Sequence, residues 1–190
     1  MVYLLLADGF ETVEALAPAD ILRRGGAELK LVSLDGKPVT SSHGIEVKAE
    51  WPISRASAED AEMVILPGGG RGVENLQRSP AVLQLVREAY ERGAYVAAIC
   101  AAPVILADMG LLKGRQAVCF PDSHLDGAFV ESLKAGGAAY QETAGVITDG
   151  PVITAKAAGV SLDFGLTLLE LLKGPEIAEK VKHSMHYNTP

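Results

Sequence analysis

Cys100 ends a strand-like run, Tyr95-Val96-Ala97-Ala98-Ile99, and is followed at once by Ala101-Ala102-Pro103 and a helical pattern. That succession presents a nucleophile at the top of a sheet. The strand gives a rigid base, the sharp turn exposes the side chain, and small neighbours let the backbone bend. Unpaired N–H groups at the start of the next helix, and its positive end, favour thiolate over thiol. The same window also suits a buried structural cysteine, since unpaired Cys is among the most buried residue types. A second feature is the glycine loop Pro67-Gly68-Gly69-Gly70-Arg71-Gly72. It meets neither G-x-x-x-x-G-K-[ST] nor G-x-G-x-x-G after the first strand, which argues against a nucleotide. Two readings fit it: bare N–H groups aimed at a developing oxyanion, or a tight turn that needs glycine for steric reasons. Glu11 and Glu14 fall one turn apart on roughly one helix face. A solvated face is the common fate of such a pair, but Val13 and Ala15 to Pro18 are mostly apolar, so one carboxyl is a candidate for burial.

The four histidines are His43, His124, His183 and His186. No H-x-E pattern exists, so the His-Glu arm of a glutamine amidotransferase triad is missing. His183 and His186 are helically spaced; a surface pair is the expected reading and a metal site the lesser one. His124 follows Phe120-Pro121-Asp122-Ser123 and is read as a surface-loop histidine, with a reach to the thiol as the alternative. Asp8 and Lys156 echo a phosphate-accepting receiver, but Leu66-Pro67 stands where its aspartate should end the third strand. Cys119 sits beside bulky Phe120 and is expected to be partly buried and less reactive.

A chain of 190 residues, 48% hydrophobic and only 5% aromatic, supports one domain with a proper core. Net charge is -7 with no dense basic cluster, which disfavours nucleic acid and anionic membranes as partners. No apolar run is long enough to span a bilayer, and the first residues lack the basic leader of a signal peptide. A cytoplasmic protein is expected. Cys100 and Cys119 have no zinc or disulfide-framework spacing, and in a reducing compartment both are expected as thiols.

Apolar runs alternate with helical patterns along the chain, which predicts α/β architecture with a parallel sheet. Strands are expected near Val2–Ala7, Glu28–Leu34, Met63–Leu66, Ala94–Ile99 and Val118–Phe120. Hairpins are expected at 39–47 and at 146–154 over Asp149-Gly150. Helices are expected from Glu11 to Arg24, from Pro80 to Arg92, after Cys100 to Met109, from Val160 to Leu172 and from Pro175 to Ser184. Fully apolar strands imply a sheet covered on both faces, whose active site lies outside the carboxyl ends of the strands. Cys100, the glycine loop and the first loop, Asp8 to Glu11, all fall at that edge.

Four segments resemble one known family: Ala97-Ala98-Ile99-Cys100-Ala101-Ala102-Pro103; Leu66-Pro67-Gly68-Gly69; Glu11-Thr12-Val13-Glu14 running into Pro18 through Gly25; and Asp149-Gly150 through Thr154 leading to Ser161. Over nearly its whole length the chain is similar to the ThiJ/PfpI superfamily, in particular its Parkinson disease protein deglycase branch. The resemblance implies a flavodoxin-like α/β/α sandwich of one domain, residues 1–190, usually a homodimer, working without cofactor or metal. It implies Cys100 as a nucleophile at a strained elbow and Glu14 as the carboxyl group that hydrogen-bonds its sulfur. Gly69 and Ala101 would supply the oxyanion-hole amides. It implies a small aldehyde, such as methylglyoxal, or a glycated protein as substrate, with an oxidative-stress sensor or chaperone as the alternative role. The protease-like branch places a histidine after the cysteine, where this chain has Ala101. Relatives of the human protein carry a histidine where Phe120 stands, and an arginine, brought from the neighbouring subunit, where His43 stands. His43 is therefore a candidate contributor in trans. Two adjacent anions repel, so the thiol is expected to ionise readily only while Glu14 keeps its proton.

Overall fold

Uninterrupted runs of Leu, Val and Ile can be buried on both sides only if the strand lies inside a covered sheet. Val2–Leu6 (β1), Met63–Leu66 (β6), Tyr95–Ile99 (β7) and Val152–Ala155 (β11) are close to such runs, filled out by Tyr, Met, Ala and one Thr, and all four lie inside the sheet. The computed structural model describes residues 1–121 and 127–187. His124 lies outside them.

The remaining strands of this sheet are Leu29–Ser33 (β2), the short edge piece Trp51–Pro52 (β5) and Val146–Asp149 (β10). Their order is β10-β11-β7-β6-β1-β2-β5, parallel throughout except for the β10–β11 hairpin. The register pairs Val2 with Leu29 and Met63, Met63 with Tyr95, and Val96 with Val152. Successive residues of β1 therefore feed opposite faces. Tyr3 and Leu5 join one core, and Val2, Leu4 and Leu6 the other.

Thr12–Arg24 (α1), Ser161–Lys173 (α6) and Pro175–Ser184 (α7) cover one face. The other is covered by Gly70–Gln77 (α2), Pro80–Glu91 (α3), Pro103–Asp108 (α4) and Ala128–Ala135 (α5). The sandwich expected from the sequence is the observed architecture. A hairpin of Val39–Thr40 (β3) and Glu46–Val47 (β4) stands outside the sheet, as does the pair Gln116–Ala117 (β8) and Ala139–Tyr140 (β9).

Three local expectations change. The glycine loop is not followed directly by the helix at Pro80; it opens α2, with Gly69 as its N-terminal cap at φ 92°. The strand expected at Val118–Phe120 lies two residues earlier, as β8. The run expected to continue to Met109 ends at Asp108. The functional consequence of the topology is simple. The chain fills the sheet outward from β1 to β2 and β5, then returns to β6 on the other side of β1. This reversal sets the loops after β1 and β6 side by side at the carboxyl edge, where α/β sheets bind ligands.

Candidate functional site

Cys100 leaves β7 with φ 65°, a left-handed conformation that non-glycine residues rarely adopt. Hydrogen bonds on both sides hold it there. Its N–H donates to Ala155 O at 2.9 Å, and its carbonyl accepts from Phe120 N at 2.8 Å. The expected elbow is thus a backbone fact, and the side chain is only partly buried.

Glu14 faces the sulfur. Its position follows from the start of α1, where Glu11 caps the helix by accepting the Glu14 N–H at 2.8 Å. The apolar neighbours of Glu14 bury it to 1% exposure. Its carboxyl hydrogen-bonds Cys100 and accepts amide N–H groups from Gly68, at 2.9 Å, and Ala158. The N–H groups of Ala101 and Gly69 hydrogen-bond the Cys100 sulfur. The structure therefore brings together Cys100, Glu14, Gly69 and Ala101. It adds Ala158, which sequence reasoning missed because its amide carries no residue-type signal, and it gives the Gly68 N–H of the glycine loop a partner the sequence did not suggest, the Glu14 carboxyl.

Glycine is obligatory at two points of this cluster. A Cβ on Gly68 would collide with Glu14 Oε2 and lie 2.7 Å from Cys100 Cβ. A Cβ on Gly69 would collide with Gly9 O and lie 2.7 Å from Glu11 N. The steric reading of the glycine loop holds, and its amides also reach the reactive pair.

Burial pushes the Glu14 carboxyl up to about 7; the Cys100 hydrogen bond counteracts this and the nearby Glu11 charge reinforces it. The Cys100 thiol is pushed upward, first by burial and then by the charge and hydrogen bond of Glu14, against the pull of the Ala101 and Gly69 amides. The expectation of a readily ionised sulfur must be corrected accordingly. The pair gives up one proton near neutrality and strongly resists losing the second, because that would leave two anions in contact. A thiolate is compatible with the site only while the remaining proton sits on Glu14, where it becomes a donor to sulfur.

His43, at the tip of the β3–β4 hairpin, is largely exposed. Its Nδ1 is 3.1 Å from Ser42 Oγ and 4.0 Å from Glu11 Oε1 of the same chain. It stands at the rim of the site and touches Glu11 rather than the sulfur. Phe120 adjoins Cys100 through its backbone and offers no proton-accepting side chain. Cys119 is buried, its Sγ 3.6 Å from Phe120 O. The rings of His183 and His186 lie 6.4 Å apart. Among the described residues no three His, Cys, Asp or Glu side chains gather as a metal site. Nor is any helix among them long and apolar enough to cross a membrane.

Known proteins share the sequence pattern and the fold. The model of the DJ-1/PfpI family matches residues 1–171. The chain is 34% identical over 180 residues to the Parkinson disease protein 7 homolog of Danio rerio, covering 94% of this chain and 92% of that protein. It is 34% identical over 178 residues to Protein DJ-1 homolog B of Arabidopsis thaliana, 93% of this chain but only 39% of that longer protein. Among solved structures, Drosophila melanogaster DJ-1beta superposes with a TM-score of 0.90 at 29% identity, over 99% of this chain and 98% of that one. A structure described as Toxoplasma gondii DJ-1, oxidized, gives 0.89 at 30% identity, over 99% and 98%. With a family match over most of its length and relatives of this similarity, the chain belongs to the DJ-1/PfpI family.

Proposed function

We propose that this protein is a cofactor-independent cysteine enzyme acting on 2-oxoaldehydes such as methylglyoxal, or on their early protein adducts. The reading covers both glutathione-independent glyoxalase and deglycase activity, because free methylglyoxal equilibrates with its reversible adducts. The observation that carries it is a buried carboxyl group, Glu14, hydrogen-bonded to a cysteine sulfur whose backbone is held at positive φ.

The chemistry balances without an external oxidant. The Cys100 thiolate forms a C–S bond with the aldehyde carbon, and the carbonyl oxygen takes the proton held by Glu14, giving a hemithioacetal. The Glu14 carboxylate then removes the proton from that carbon, giving an enediolate, and returns the same proton to the neighbouring carbon, while the hydroxyl proton passes from the first oxygen to the second. The result is a 2-hydroxyacyl thioester on Cys100. Water cleaves it to the 2-hydroxy acid, lactate from methylglyoxal, and restores the thiol. The Gly69 and Ala101 amides, which reach the sulfur, would share the developing oxyanion beside it. A carboxyl that releases its proton near pH 7 suits both halves of Glu14's task. Carried over from the family with this reading are a homodimer and a cytoplasmic setting.

Purified protein should consume methylglyoxal without glutathione, and Cys100→Ser and Glu14→Ala should each abolish turnover. An unchanged rate in Cys100→Ser overturns the proposal. One observation favours a second reading, a redox sensor. Three hydrogen-bonding groups, Glu14 and the amides of Gly69 and Ala101, converge on the sulfur and would stabilise a sulfinate there, and a related protein has been solved in a form described as oxidized. Two oxygens gained selectively at Cys100 under mild peroxide, with negligible aldehyde turnover, would favour that reading.

A further inference from the structure

Asp8 and Arg71 carry opposite charges on adjoining stretches of backbone, yet their side chains form no ion pair. A Cβ on Gly9 would lie 2.7 Å from Arg71 Cβ, so the chain at Asp8-Gly9 runs against the first turn of α2. The Asp8 carboxylate is turned instead to the β3–β4 hairpin, where its Oδ1 accepts the Thr40 N–H at 2.9 Å. Two further bonds hold this arrangement: Gly9 N–H donates to Thr40 O at 2.8 Å, and Asn75 Nδ2 donates to Asp8 O at 2.9 Å. Among the described residues, the other Asp8 oxygen and the Arg71 guanidinium have no partner. Both side chains line two clefts at the carboxyl edge, of about 460 and 360 Å³. Clefts of this size hold small molecules. Asp35 and Lys37 also line the larger cleft, but their charges meet each other at 2.9 Å. One carboxylate and one guanidinium are therefore left unmatched. The smaller cleft adds the hydroxyls of Thr40 and Ser42. Cys100 and Glu14 line neither cleft.

We propose that the smaller cleft, between α2 and the β3–β4 hairpin, is a binding site for a free α-amino acid, with Asp8 receiving its ammonium group and Arg71 its carboxylate. An anion alone would face the Asp8 charge, and a cation alone the Arg71 charge; a zwitterion satisfies both. The two charged ends of an amino acid are roughly 3 Å apart across one carbon. Neighbouring side chains of opposite sign that are held from each other match such a ligand. The planar guanidinium can take a carboxylate with two parallel hydrogen bonds. The Thr40 and Ser42 hydroxyls can accept the remaining ammonium hydrogens. The Thr40 bond is what keeps Asp8 from collapsing onto Arg71, so the hairpin builds the site as well as lining it.

The test is an NMR titration of isotope-labelled protein with L-alanine, read from the amide signals of Gly9, Thr40 and Gly70. Two relatives of the ligand each lack one charge: L-alaninamide resembles a peptide N-terminus, and N-acetyl-L-alanine a peptide C-terminus. L-alanine should bind with a dissociation constant on the order of millimolar, because exposed ion pairs are weak. Each relative should bind about tenfold more weakly. Arg71→Ala should abolish the L-alanine shifts. Asp8→Asn keeps an oxygen for the Thr40 N–H; it should weaken L-alanine about tenfold and leave N-acetyl-L-alanine bound no more weakly than in the wild type. Equal binding of L-alaninamide would make the site one for peptide N-termini, and equal binding of N-acetyl-L-alanine one for simple carboxylates. Either result overturns the proposal, as does the absence of shifts at about 50 mM L-alanine. No aldehyde is present, so these outcomes are independent of whether Cys100 turns over methylglyoxal.

Discussion

Glu14 releases its proton near pH 7, whereas an ordinary glutamate in an unfolded chain does so near 4.5. Between those values the folded protein holds a proton that the unfolded chain has given up. Stability therefore falls as pH rises through that window. The full difference is on the order of 3 kcal/mol. Chemical denaturation of the wild type at pH 4.5 and pH 7.5 should show this loss, and Glu14→Gln should remove most of the slope. A slope unchanged in Glu14→Gln would mean that the carboxyl titrates normally. At this scale the sequence was most informative where chemistry resides in a side chain: Cys100 stands out by residue type and by its place at the sheet edge, whereas Glu14 was one of two candidate carboxyls until the family resemblance singled it out. It was silent on the Gly68 and Ala158 amides that hold Glu14. The ease of ionisation expected for the thiol also missed the burial that opposes it, because desolvation depends on every neighbour packed around the pair.

Strands with long apolar runs and helices with clear boundaries could be read from the chain, and α1, α3, α6 and α7 lie close to where periodicity puts them. The elements that escaped are those whose local sequence argues for something else. Three glycines near the start of α2 lower its helix propensity, yet burial of Val73 and Leu76 overrides it. β5, β8 and β9 are two-residue strands, too short to show any period. Packing of α1 against α6 depends on Gly165. A Cβ there would lie 2.8 Å from Ile21 Cδ1 and 2.9 Å from Pro18 Cα, and the second is backbone that cannot swing away. Gly165→Val should therefore cost about 1–3 kcal/mol, measured as a lower denaturant midpoint. The helices would separate at the end that leads back to Ala158, so turnover should fall along with stability.

At the scale of the whole molecule, the reactive groups come from the segments that follow β1, β6 and β7 (the first turn of α1, the glycine loop and the elbow at Cys100), three neighbouring strands with a hydrophobic core on each face. Among the described residues, Ala158 on the α6 side, the hairpin carrying His43, and the Ala155 and Phe120 backbone that holds Cys100 are contributed from elsewhere. Motion sufficient to separate Glu14 from Cys100 would have to slide one central strand against another and disturb both cores at once. Backbone amides of 3–6, 64–66 and 96–99 should consequently exchange with deuterium only through global unfolding. The hairpin around His43 should exchange orders of magnitude faster. Fast exchange in the central strands would show that the sheet opens locally. With slow exchange there, the working parts would hold together for as long as the protein itself stays folded. Inactivation by heat would then track melting, with no earlier loss of function while the fold persists.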